Sequence, residues 1–139
     1  MTTAKDLMSA GIRYVPVTET LDRAAQLMRE QDVGALPVTD TDGRLAGIIT
    51  DRDIVIKCVS HGKDPAKMTA GDIMTAEPRS VESSASASEV LDAMRDIRVR
   101  RIPVTENGEL IGMITEADVV RQLPQGEVYA FAQSIYVDR

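Results

Sequence analysis

The chain carries one pattern twice. Gly47-Ile48-Ile49-Thr50-Asp51-Arg52-Asp53 returns as Gly112-Met113-Ile114-Thr115-Glu116-Ala117-Asp118, and each copy follows a proline-valine run, Leu36-Pro37-Val38 or Ile102-Pro103-Val104. The alignment reaches back to Met8 against Met74 and Val33 against Val99. One residue is lost where Asp40-Thr41-Asp42-Gly43 meets Glu106-Asn107-Gly108. Such a repeat constrains the fold before any local propensity does: each copy is one supersecondary unit, and neither has enough core alone.

Each copy reads β-α-β-β-α behind a short helical turn, Ala4 to Met8 or Ala70 to Met74. A strand is expected around Arg13 to Pro16 and around Arg79 to Val81. An amphipathic helix follows. Thr20 is placed to cap the first, with Leu21, Ala24, Ala25 and Met28 on one face; Ser86 precedes Val90, Leu91 and Met94 in the second. Two strands come next, Ala35 to Thr39 with Leu45 to Thr50, and Arg101 to Thr105 with Leu110 to Thr115. They are joined by Asp-Gly and Asn-Gly, hairpin dipeptides whose residues tolerate positive φ. Thr50 and Thr115 then cap a last helix, with Asp53 and Asp118 in its first turn. The resulting division is repeat 1 over 1–60, a linker over 61–69, repeat 2 over 70–123 and a tail over 124–139. In the tail Val128, Phe131, Ala132 and Ile135 make one helical stripe, suited to covering the core, to a dimer contact or to a ligand lid.

Composition narrows the function. A net charge of −6 argues against general nucleic-acid affinity, and with no Trp and one Phe there are few stacking platforms for single strands. The core must come from Val, Ile, Leu, Met and Ala, within a 43% hydrophobic content. No run approaches the ~18 apolar residues of a membrane span, and no secretory signal opens the sequence, so a cytoplasmic location is expected. Cys58 is the only cysteine and reads as a small buried hydrophobe. His61 is the only histidine and falls in the linker, so neither a catalytic triad nor a closed zinc site can be assembled, and no P-loop is present. Catalysis is not expected.

The doubled β-α-β-β-α unit with its G-h-h-T-D/E-x-D ending resembles a pair of CBS domains, the Bateman module, over about residues 4 to 123. The runs Gly34-Ala35-Leu36-Pro37, Thr50 to Lys57 and Val99-Arg100-Arg101-Ile102-Pro103 resemble more closely the stand-alone two-CBS proteins of actinobacteria, of the hypoxic-response kind. The resemblance implies a mixed α/β (α+β) fold, two repeats packed with pseudo-twofold symmetry into one module. It implies a regulatory binding module rather than an enzyme. Such a module takes an adenosyl ligand (AMP, ADP, ATP or S-adenosylmethionine, none obligatory) in clefts between the repeats. It commonly forms a homodimer. With no fused enzyme or transporter here, it would signal metabolic state to a separate protein. A ligand-free dimerisation or docking scaffold is the alternative.

Carried onto this sequence, the resemblance makes Asp53 and Asp118 the ribose carboxylates, since a carboxylate accepts both hydroxyls of a cis diol. Thr50 and Thr115 become the phosphate-side hydroxyls, with Asp51 and Arg52 beside the first. Arg101, then Arg100, stand where basic residues face phosphate; an exposed charge or a local ion pair is the plainer role for these arginines and for Arg52. Tyr14, Val15, Val81 and Ile102 would line the base. Read from the residues alone, Thr50-x-x-Asp53 and Thr115-x-x-Asp118 are also ordinary helix caps.

Overall fold

The computed structural model describes residues 1–97 and 101–136. The first repeat runs α1 (Ala4–Leu7), β1 (Val15–Pro16), α2 (Leu21–Gln31), β2 (Ala35–Thr39), β3 (Leu45–Thr50) and α3 (Asp51–Lys57), then a 3-10 turn at Val59–His61. The second runs α4 (Ala70–Ile73), β4 (Thr75–Ala76), β5 (Val81–Glu82), α5 (Ala87–Ile97), β6 (Arg101–Glu106), β7 (Glu109–Thr115) and α6 (Glu116–Gln122), and α7 (Gln125–Tyr136) closes the chain. The architecture is mixed α+β, with two small sheets.

The compact units do not coincide with the repeats. One is Arg13–Pro78; the other joins Met1–Ile12 to the chain from Arg79 onward. Each repeat's opening turn therefore folds into the unit built by the other repeat's strands. In the first unit Ala70 and Ile73 of α4 share a core with Val15, Leu21, Leu36, Ile49 and Cys58. In the second, Ala4 and Leu7 of α1 lie with Val90, Met94, Ile102, Ile114 and Val119. Each fully buried aliphatic side chain contributes about 1.5–3 kcal/mol, which lets such small layers hold together.

The first unit's sheet has the order β1-β2-β3-β4, with β1 parallel to β2 and the other pairs antiparallel. The second unit's sheet repeats the first three strands as β5-β6-β7. Ala35 lies opposite Thr50, and Arg101 opposite Thr115. In both units the start of the second strand and the end of the third thus meet at one end of the sheet, while the short first strand pairs with the far part of the second, Val15 with Val38 and Val81 with Val104. The glycine shared by the two copies, Gly47 or Gly112, sits where the borrowed turn crosses the third strand. A Cβ on Gly47 would fall 2.8 Å from the carbonyl oxygen of Thr75 and 2.5 Å from Met74 Sδ. One on Gly112 would fall 3.0 Å from the carbonyl oxygen of Ser9 and against Met8 Sδ.

Several local expectations change. Ala25 is exposed; the buried face of α2 is Leu21, Ala24 and Met28. Thr20 is the N-cap residue of α2, but its side chain makes no cap bond. Its hydroxyl goes to Asp22 instead, holding that carboxyl below its ordinary pKa. Glu19 accepts the Thr20 backbone N–H at 3.1 Å. Ser86 does cap α5, accepting the Glu89 N–H at 3.1 Å. The hairpins differ as well. Asn107 and Gly108 both take positive φ (54° and 84°), as a two-residue primed turn requires. In the first hairpin only Gly43 does, because the connection is longer and the Asp40 carboxylate accepts the N–H groups of Asp42 and Arg44 at 2.9 and 3.0 Å. The strand expected from Arg79 starts at Val81, where pairing with β6 begins.

Candidate functional site

At the end of β3 the chain turns into α3 through a reciprocal cap. Thr50 Oγ1 accepts the Asp53 N–H at 3.0 Å, and Asp53 Oδ2 accepts the Thr50 N–H at 2.9 Å. The other carboxylate oxygen, Oδ1, faces Lys57 Nζ at 3.4 Å, one helical turn on. The Asp51 N–H donates to the Gly34 carbonyl at 2.9 Å, tying the start of α3 to the entry of β2. A Cβ at Gly34 would lie 3.1 Å from Asp51 Oδ2, so glycine lets that carboxylate rest against the strand entry. Asp51 Oδ1 accepts the Arg52 N–H at 2.8 Å, and both side chains are exposed.

The second unit repeats the cap with more partners. Asp118 Oδ2 accepts the N–H and the hydroxyl of Thr115 at 2.8 and 3.0 Å. Asp118 Oδ1 accepts the Ser9 hydroxyl at 3.3 Å and pairs with the Arg121 guanidinium. Arg101, half-buried, opens β6 directly across from Thr115. Arg100 lies outside the described residues. Thr50, Asp51, Arg52 and Asp53 are therefore gathered at one sheet end, and Thr115, Asp118 and Arg101 at the other unit's equivalent end.

The residues expected around a base divide. Tyr14 is exposed just ahead of β1. Val15, Val81 and Ile102 belong to the hydrophobic cores, and Val81 also reaches a surface groove. That groove, about 590 Å³, runs between β5 and α5 past Arg79, Glu82, Glu89 and Ala93. Its counterpart between β1 and α2 is only about 130 Å³ and includes Leu27 and Arg23. Sequence reasoning missed the groove and missed Lys57, Arg121 and Ser9 as partners of the aspartates. The helical spacing of Lys57 and Arg121 from Asp53 and Asp118 was a readable signal. Ser9 reaches Asp118 only through the fold and left none.

Cys58 is buried, its thiol 3.4 Å from the Lys63 carbonyl oxygen, and His61 is exposed. Among the described residues no group of three His, Cys, Asp or Glu side chains gathers to hold a metal, and no helix is long and apolar enough to cross a membrane.

Comparison with known proteins agrees with this fold. The CBS domain model matches residues 4–59 and 70–125. Hypoxic response protein 1 of Mycobacterium tuberculosis is 47% identical over 135 residues, covering 97% of this chain and 94% of the relative. The crystal structure of hypoxic response protein I with two coordinated zinc ions superposes with a TM-score of 0.82 at 49% identity, over 88% of this chain and 100% of that one. CBSX2 of Arabidopsis thaliana, solved in complex with AMP, gives 0.76 at 29% identity, over 87% of this chain and 95% of that one. With the repeat, the sheet order and the doubled cap already in place, these matches settle the family: the chain belongs to the CBS-domain proteins, with two CBS domains in tandem.

Proposed function

We infer that this chain is a regulatory CBS pair that binds an adenosyl nucleotide at the strand-helix junctions and passes the bound state to a separate protein. The carrying observation is the doubled junction: a hydroxyl and a carboxylate locked in a reciprocal cap, at the sheet end where the second strand begins and the third ends. There Asp53 and Asp118 are the candidate ribose acceptors, Thr50 and Thr115 the phosphate-side hydroxyls, and Arg101 the phosphate cation. The AMP complex of CBSX2, a relative of the same fold, supports this class of ligand. Binding energy that differs between two arrangements of the module, or of a homodimer, would shift a partner's affinity.

Zinc is not part of this reading. The single buried thiol of Cys58 and the single exposed imidazole of His61 do not supply the donor set of a closed site within one chain. One observation favours an interaction role alongside or instead of nucleotide sensing. Val55, Ile56 and Val59 are each about half exposed on α3 and the turn after it (53%, 46% and 56%), an apolar surface suited to a second copy or a partner.

Titration calorimetry and thermal unfolding against AMP, ADP, ATP, S-adenosylmethionine and adenosine test the proposal. Saturable binding is expected for at least one, with ~2.7 kcal/mol of stabilisation at 100 times its Kd. If a nucleotide occupies the second unit's junction, Arg101→Ala should weaken ATP more than adenosine; equal losses, or none, would place Arg101 away from the phosphates. A flat response across the panel at millimolar concentration would leave the scaffold reading.

A further inference from the structure

The two aspartates of the repeated motif are unequal acceptors. An ionised carboxylate offers about four lone-pair positions, and a cis diol needs two of them. At Asp118 four donors already converge: the Thr115 N–H, the Thr115 hydroxyl, the Ser9 hydroxyl and the Arg121 guanidinium. The residue is 2% exposed. At Asp53 two donors do so, the Thr50 N–H and the Lys57 ammonium, and 18% of its side-chain surface remains open. Lys57 is shared, since its Nζ also donates to the Ile73 carbonyl at 3.1 Å.

The sequence explains the difference position by position. Arg121 aligns with Ile56, which can donate nothing. Ser9 aligns with Thr75, which among the described residues makes no hydrogen bond to Asp53. We propose that the second-repeat carboxylate is a latch rather than a ligand site. Asp118 is saturated by Ser9 and Arg121, which fastens the N-terminal segment to its unit, so the chain takes one adenosyl ligand, through the diol at Asp53. This rests on the nucleotide reading above and assigns the occupied site within it.

Calorimetry of the full chain with AMP as probe should give a stoichiometry near one per chain. Asp53→Ala should weaken that binding at least tenfold. The double variant Ser9→Ala/Arg121→Ala should free Asp118 and raise the stoichiometry toward two. Two equivalent sites in the unmodified protein, AMP binding untouched by Asp53→Ala, or no second site in the double variant would each overturn the assignment. The latch also has a ligand-free readout. A double-mutant cycle on unfolding between Ser9→Ala and Asp118→Asn should be non-additive. If no adenosyl ligand binds, the nucleotide reading fails while the cycle still decides the latch; additive effects would end it.

Discussion

The two units use one chain plan, and they differ most where side chains rather than backbone set the outcome. Both build a β-α-β-β-α layer, both take their opening turn from the other repeat, and both place a Thr-Asp cap at the same sheet end. Yet the first unit keeps a partly exposed aspartate and a small groove along α2. The second has a saturated aspartate and an open groove. Duplication preserves what the backbone needs, and the residues that decide what a site can accept have diverged around it.

The shared requirement should give the largest effect. In Gly47→Ala the new methyl would meet a backbone carbonyl, which cannot swing aside as a side chain can. We expect a loss of about 2–3 kcal/mol for Gly47→Ala, and slightly less for Gly112→Ala, where the carbonyl is farther away. Denaturant unfolding measures both. Alanine tolerated at either position within experimental error would mean that the borrowed turn does not press on that strand.

The caps should separate the units next. Asp118→Ala removes a buried carboxylate from the Thr115 N–H, the Thr115 hydroxyl and the Ser9 hydroxyl, and should cost about 2 kcal/mol. Arg121 is mostly exposed, so its ion pair adds little. Asp53→Ala removes fewer bonds from a more open site and should cost about 1 kcal/mol. The same melts that rank these variants test the comparison: equal losses would erase the distinction between latch and open acceptor.

How much of this could be read beforehand follows from the range of the interactions. The repeat, the four hairpin strands and both Thr-Asp caps rest on contacts within a few residues, and the sequence displays them. The exchange of opening turns does not, because nothing local in Ala4–Leu7 says that its partners are Val90 and Ile114. The glycine of each motif was visible, but its reason, a carbonyl from another repeat's turn, was not. At the candidate site Thr50, Asp53, Thr115 and Asp118 were legible as a pattern. Their different availability was hidden, since it depends on Ser9, more than a hundred positions from Asp118. Ala25 misled for a simpler reason: on a helix edge, an alanine fits either face.

The smallest expected effect concerns the grooves. Ala93 aligns with Leu27, each lines its unit's groove, and the smaller alanine is expected to account for part of the larger second groove. Ala93→Leu would restore the first unit's residue into existing space. A cavity-filling substitution of this kind should stabilise by about 0.5–1 kcal/mol. The converse, Leu27→Ala, removes a partly buried side chain from the first unit's core and should destabilise by more than Ala93→Leu gains, because truncation forfeits packing as well as burial. Thermal unfolding of the two variants and their combination checks the pair, which should add because the substitutions lie in separate units. A loss on Ala93→Leu would mean that the groove does not open along the Ala93 side chain. The size difference would then come from Ala85 standing where the first repeat has Glu19.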